Sequence, residues 1–206
     1  MAKSLRRTIL MIPIHKIIGR LSNQMFQFAA LYTWTQDQGI PFFVQDEKYF
    51  KKYEKQIRDF FSEGIGYFEI DGKQPVAIHV RRTDYVNNPF YVDLGHHKHA
   101  DMSDNYYVRA MAMFPGEKFM VFSDDIAWCK EQEFFKGCYF SEGHDEITDM
   151  NIMASCKHNI IANSSFSWWA AWLNPNPNKI VVAPKQWFSN PEDEKFIGIP
   201  SSWLRI

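Results

Sequence analysis

Three short stretches of this 206-residue sequence combine side chains that can bind and polarise an anion, and each directly follows an apolar run. His79 and Val80 lead into Arg81-Arg82-Thr83-Asp84, residues 118–122 into Ser123-Asp124-Asp125, and residues 159–162 into Asn163-Ser164-Ser165-Phe166-Ser167. Guanidinium forks and helix-end N–H groups neutralise phosphate oxygens, while carboxylates accept hydrogen bonds from a ribose or a base. Brought together, the three sets suit a nucleoside diphosphate. Taken alone, each has a plainer use: the arginines pair with a carboxylate such as Asp84, and the other two clusters cap helices.

Whether they meet depends on the elements that carry them. From Pro75 onward, apolar runs at 76–80, 118–122, 159–162 and 179–183 are separated by helix-length segments near 103–114, 126–135, 146–155 and 166–173. Uninterrupted apolar strands alternating with helices are what a parallel sheet covered on both faces requires. The pattern predicts an α/β, Rossmann-like domain over residues 74–206. Ligands of such sheets bind outside the carboxyl ends of the strands, which is where all three clusters would stand. The glycine-rich fingerprints of dinucleotide folds and P-loops are absent, which argues against hydride transfer and ATP hydrolysis. A sugar nucleotide, with its diphosphate as leaving group, fits both the clusters and that absence.

Residues 1–73 form a smaller N-terminal part. Residues 8–14 read as a strand, 25–35 as an apolar-rich helix ended by Gly39, and 47–61 as an amphipathic helix; the turn-prone stretch from Gly64 to Pro75 is the boundary. A hydrophobic content of 46%, with 17% aromatic, supplies a sizeable core and excludes disorder as a description of the whole chain. The net charge of -1 provides no cationic field for a nucleic-acid backbone. Three scattered cysteines, Cys129, Cys138 and Cys156, make no disulfide framework or metal knuckle, and no apolar stretch reaches about 18 residues, so a cytoplasmic setting without a membrane span is expected. His96, His97 and His99 read as a polar loop rather than a metal site. Trp168, Trp169 and Trp172 are expected to pack a helix on the sheet, and His158 to serve structure rather than a nucleobase.

With these residues in hand, the chain is similar to the α-1,2-fucosyltransferases of glycosyltransferase family 11. GRLSNQMFQFA at 19–29 resembles the family's GGLGNQMFQYA, HVRRTDY at 79–85 its HxRRxDY, and VFSDDIAWC at 121–129 its FSDDxxWC. NSSFSWWAAWL at 163–173 and IPSSW at 199–203 follow in the family's order. The resemblance implies a GT-B-like enzyme that moves L-fucose from GDP-β-L-fucose to a galactoside hydroxyl, inverting and metal-independent, with no cofactor beyond the donor. By motif, Arg81 would bind the β-phosphate and His79 the nucleoside; Asn23, Arg82, Asp124, Asp125, Asn163, Ser165 and Ser167 would complete the donor site. Asp84 would either accept the acceptor's proton or orient an arginine.

The sequence also departs from the family. Ser22 replaces the glycine of GLGNQ, and residues 45–60 resemble a segment that follows a longer insert in family members. The donor half is expected complete and the acceptor half reduced. Three readings follow: an active minimal transferase whose acceptor cleft is open or completed by a second copy; a GDP-sugar-binding remnant; and a transferase for another nucleotide sugar.

Overall fold

The computed structural model describes residues 65–87, 104–188 and 198–206, together with Met25, Lys55, Arg58, Asp59, Phe61 and Ser62. Elements expected at 8–14 and 25–35, the site residue Asn23 and the three loop histidines lie outside the described residues, as does the side chain of Asp84.

Among the described residues six strands form one sheet: β1 (Val76–Val80), β2 (Phe119–Ser123), β3 (Tyr139–Phe140), β4 (His158–Ile160), β5 (Val181–Ala183) and β6 (Leu204–Arg205). The order is β3-β2-β1-β4-β5-β6, and every pairing is parallel. The fold is α/β and Rossmann-like. The chain builds outward from β1 to β3, then returns to the other side of β1 and builds outward again, so the topological switch point lies between β1 and β4, where such sheets open a crevice for ligands.

All five residues of β1 are buried, and so are the three each of β4 and β5. Alternation along β1 sends Val76, Ile78 and Val80 to one face and Ala77 to the other. The first face carries Tyr106, Tyr107 and Ala110 of α2 (Asp104–Met111) and Cys129 of α3 (Ile126–Glu131). The second carries Met150 and Met153 of α4 (Glu146–Ala154) and the tryptophans of α5 (Ser165–Leu173). A short helix, α1 (Thr83–Asn87), leaves β1 directly after the arginines.

The expected aromatic packing of α5 is present: Trp168, Trp169 and Trp172 are all buried, and Trp168 and Trp172 stack with ring centroids 6.0 Å apart. The N-terminal part reaches this face too. Phe61 lies 5.4 Å from Trp169, the Arg58 guanidinium sits 3.9 Å over the Trp172 ring and donates to the Trp172 carbonyl, and Met25 joins the same apolar cluster.

A buried amide network ties α4, β4 and α5 together. Asn174 Nδ2 donates to Asn159 Oδ1 and to the Cys156 carbonyl, each at 2.8 Å, and Asn159 Nδ2 donates to the Met153 carbonyl at 2.9 Å. Both side chains are closed to solvent. Each acceptor orphaned by a truncation costs about 1–3 kcal/mol. Asn174→Ala is therefore expected to lower the unfolding free energy by at least about 1 kcal/mol, read as a fall in the urea midpoint at unchanged m-value; an unaltered midpoint would show the network to be dispensable.

Candidate active site

The register β1 to β2 sets Val80 against Ser123, which brings the residues that follow each strand side by side. Across that junction the arginines and carboxylates interlock. Arg81 Nη1 lies 3.1 Å from Asp124 Oδ2; Asp124 also accepts from the Arg82 backbone N–H at 2.9 Å and from the Thr83 hydroxyl at 2.5 Å. Arg82 Nε lies 3.4 Å from Asp125 Oδ2, and its guanidinium rests 3.7 Å over the Trp128 ring. Asp125 is held in turn because its other oxygen caps α3, accepting from the Trp128 N–H at 3.2 Å.

Burial alone would raise the Asp124 carboxyl, but the Arg81 guanidinium, the Thr83 hydroxyl and the Arg82 N–H outweigh it and hold it below the usual range. Two cations and two carboxylates thus neutralise each other in a partly covered place. The carboxylates expected to meet a ribose or base are engaged with the arginines in this structure, and they fix where the guanidinium groups stand.

His79 lies one step before this junction, on the face opposite Ile78 and Val80. It is 4% exposed, its ring centroid lies 5.3 Å from that of Phe166, and among the described residues its Nδ1 has no hydrogen-bond partner. Burial first, and the neighbouring Arg81 second, push its pKa down to about 3, so the ring is neutral. The Tyr107 hydroxyl donates to the His79 carbonyl at 3.1 Å and secures the end of β1 from the other face.

The third cluster follows β4. Asn163 is buried; its Nδ2 donates to the Trp187 carbonyl at 3.2 Å, while its Oδ1 has no partner among the described residues. The Tyr85 hydroxyl of α1 donates to the Asn163 carbonyl at 3.1 Å, joining the β1 and β4 loops across the switch point. Ser164 caps α5 by accepting from the Phe166 N–H, and half-buried Ser165 opens the helix. Ser167 is fully enclosed, with its hydroxyl against the Ala162 and Ser164 carbonyls, so it builds the cap from inside.

His79, Arg81, Arg82, Asp124, Asp125, Asn163 and Ser165 therefore share the carboxyl edge of β1, β2 and β4. His158 stands at the opposite end of β4, where its Nδ1 accepts from the Ile180 N–H at 3.0 Å and its ring stacks on Phe114, the structural use expected for it. Thr83, Tyr85 and Trp128 stand inside the motifs legible in the sequence but were not expected as site residues, and Tyr107 lies outside every one of them. Local signals existed for the first three: Thr83 in the polar cluster after β1, Tyr85 in HVRRTDY, and Trp128 three residues after the capping Asp125. Among the described residues no helix is long and apolar enough to cross a membrane.

Residues 40–203 match the family described as Glycosyl transferase family 11. The chain is similar to an alpha-1,2-colitosyltransferase of Escherichia coli, with 36% identity over 80% of this chain and 61% of the relative. It is similar to the O-antigen biosynthesis glycosyltransferase WbnK of the same organism, 36% identical over 63% of this chain and 44% of that protein. A mouse galactoside 2-alpha-L-fucosyltransferase, Sec1, is 30% identical over 51% of this chain and 31% of its own length. The chain thus spans less than two thirds of the curated relatives it matches. With the family match running over residues 40–203, from before the amphipathic segment to just short of β6, and taking in every described residue of the site, the chain belongs to glycosyl transferase family 11.

Proposed function

We propose that this chain binds a GDP-sugar at the switch point and transfers its sugar, L-fucose from GDP-β-L-fucose, to a galactoside hydroxyl in an α-1,2 linkage with inversion. The observation that carries the reading is that Arg81, held by Asp124, directly follows β1 while α5 begins after the adjacent parallel strand β4, on the same carboxyl edge: a fixed guanidinium and a helix N-terminus are the two devices that hold a diphosphate. His79 and Asn163 add buried polar atoms on the same edge, Nδ1 and Oδ1, that have no partner among the described residues.

In that reaction the bond between sugar C1 and the β-phosphate oxygen breaks. The electron pair leaves with GDP, and the sugar passes through an oxocarbenium-like state while the acceptor oxygen bonds to C1 from the opposite side. Arg81 stabilises the charge that grows on the departing phosphate, and because Asp124 and Thr83 hold it in place beforehand, little reorganisation is needed at the moment of transfer. Arg82, clasped by Trp128 and Asp125, keeps the strand end rigid. The acceptor hydroxyl gives its proton to a carboxylate, and Asp84, placed by the motif three residues after Arg81, fills that role or orients the arginines. In this arrangement residues 74–206 are the donor-binding domain of a GT-B-like enzyme and residues 1–73 a reduced acceptor-side part, to which a second copy of the chain would add. The activity fits a cytoplasmic enzyme that needs no metal.

A second reading keeps the site and changes the sugar, because one relative matched over most of this chain is named for colitosyl transfer. Titration calorimetry with GDP is expected to show saturable binding, and GDP release from GDP-fucose is expected to depend on an added galactoside such as lactose. Binding without release would mark a donor-holding remnant, release with another GDP-sugar alone would select the second reading, and no binding of GDP would overturn both.

A further inference from the structure

Beyond the arginine and carboxylate junction, the carboxyl edge carries one more polar cluster. Ser141 follows β3 and donates its backbone N–H to the Val121 carbonyl at 2.9 Å, so it stands beside the end of β2. Its hydroxyl lies 2.6 Å from Asp149 Oδ1 and 3.0 Å from His144 Nδ1, and that nitrogen lies 3.5 Å from the same carboxylate oxygen.

The composition suggests a nucleophilic triad, but the protons exclude one. Ser141 has a single hydroxyl hydrogen, and its shortest contact gives that hydrogen directly to Asp149. His144 Nδ1 must then be the protonated nitrogen, donating toward Ser141 and Asp149. Ser141 is also only 4% exposed. The cluster therefore does not activate a serine. It orients an imidazole with Nδ1 tied down, and in the neutral ring Nε2 is then the acceptor, on a side chain that is 41% exposed.

Its place in the fold says what that acceptor could meet. Asp145 caps α4 by accepting from the Thr148 N–H at 2.8 Å, and α4 and α5 pack on the same face of the sheet, so His144 precedes a helix that starts on the same edge as α5. Strands lie about 4.8 Å apart, which puts β3 roughly 10 Å from β1, within the span of an extended nucleoside diphosphate. A diphosphate held between Arg81 and α5 would extend its nucleoside over β2 toward β3. Among the side chains beside β2 and β3, Asp124 and Asp125 are committed to the arginines, Glu142 pairs with Lys130 at 2.7 Å, and Asp145 is spent on its cap, while His79 Nδ1 and Asn163 Oδ1, which have no partner among the described residues, belong to β1 and to the loop after β4. A guanine base offers N–H donors and needs an acceptor in return.

We propose that the loop between β3 and α4 is the nucleobase wall of the donor site, and that His144, oriented by Ser141 and Asp149, accepts a hydrogen bond from guanine through Nε2. The inference rests on the GDP-sugar reading above. It assigns base recognition to a residue distinct from those that hold the phosphates.

Calorimetric titration of the full chain with GDP and, separately, with inorganic pyrophosphate tests it in wild type, His144→Phe and His144→Asn. Both variants are expected to bind GDP about tenfold more weakly while pyrophosphate affinity and the thermal midpoint stay as in wild type. Equal GDP affinity in all three proteins, or a parallel loss of GDP and pyrophosphate, would overturn the assignment. Failure of wild type to bind either probe would instead remove the donor site itself, and this inference with it.

Discussion

Arg81→Ala is expected to weaken GDP binding at least tenfold and to lower kcat/KM with GDP-fucose by about two to three orders of magnitude. Losing one charge-assisted hydrogen bond to phosphate costs about 1.5–3 kcal/mol. The rest of the effect comes from Asp124. In the intact site Arg81 neutralises this carboxylate at 3.1 Å, and with Asp125 offset by Arg82 the junction has no net charge. Removing the Arg81 guanidinium leaves Asp124 facing the crevice as an uncompensated anion that repels the diphosphate. The double variant Arg81→Ala with Asp124→Asn should therefore recover part of the lost GDP affinity without recovering turnover, because repulsion is relieved but nothing stabilises the leaving phosphate. Full GDP affinity in the single variant would place the diphosphate elsewhere.

The pairing behind that prediction was the least legible part of the sequence. The strands at 76–80, 118–122, 159–162 and 179–183 could be read because both faces of a parallel sheet are covered, and burial writes continuous apolar runs into the chain. β3 and β6 could not, since two residues each show no period. The helix expected at 126–135 is α3 followed by a separate 3-10 turn at Glu133–Phe135; Gln132 has an extended backbone, with ψ at 123°, and ends α3. α1 was missed because five residues beginning in a polar cluster carry too little pattern to announce a helix. The three site clusters stood out as polar residues ending apolar runs. Which arginine meets which carboxylate depends on the β1 to β2 register, and no local signal encodes a register between strands separated by a helix. The same holds for Tyr85 and Tyr107, whose hydroxyls reach carbonyls on other strands or loops.

Stability should depend on pH through His79. Its pKa is about 3 in the folded protein and near 6.5 in the unfolded chain, so between those values the unfolded chain takes up a proton that the folded one refuses. The contribution is fully present above pH 6.5 and is lost as pH falls toward 3, at about 1.4 kcal/mol per pH unit, which amounts to about 3 kcal/mol by pH 4. His158 is lowered as well, by burial and then by Lys157, and shifts stability in the same direction. Comparing wild type with His79→Phe cancels that share, because His158 is present in both proteins. Phenylalanine keeps the aromatic packing against Phe166 and removes a buried nitrogen that no described group satisfies. Urea midpoints measured from pH 7.5 to 4 should therefore fall more steeply in wild type than in the variant, with the two curves diverging below pH 6.5. Parallel curves would mean that the imidazole protonates as readily in the folded chain as in the unfolded one. The site would then hold an extra positive charge beside Arg81 at mildly acidic pH, and the charge neutrality that makes Arg81 and Asp124 so tightly coupled would fail there.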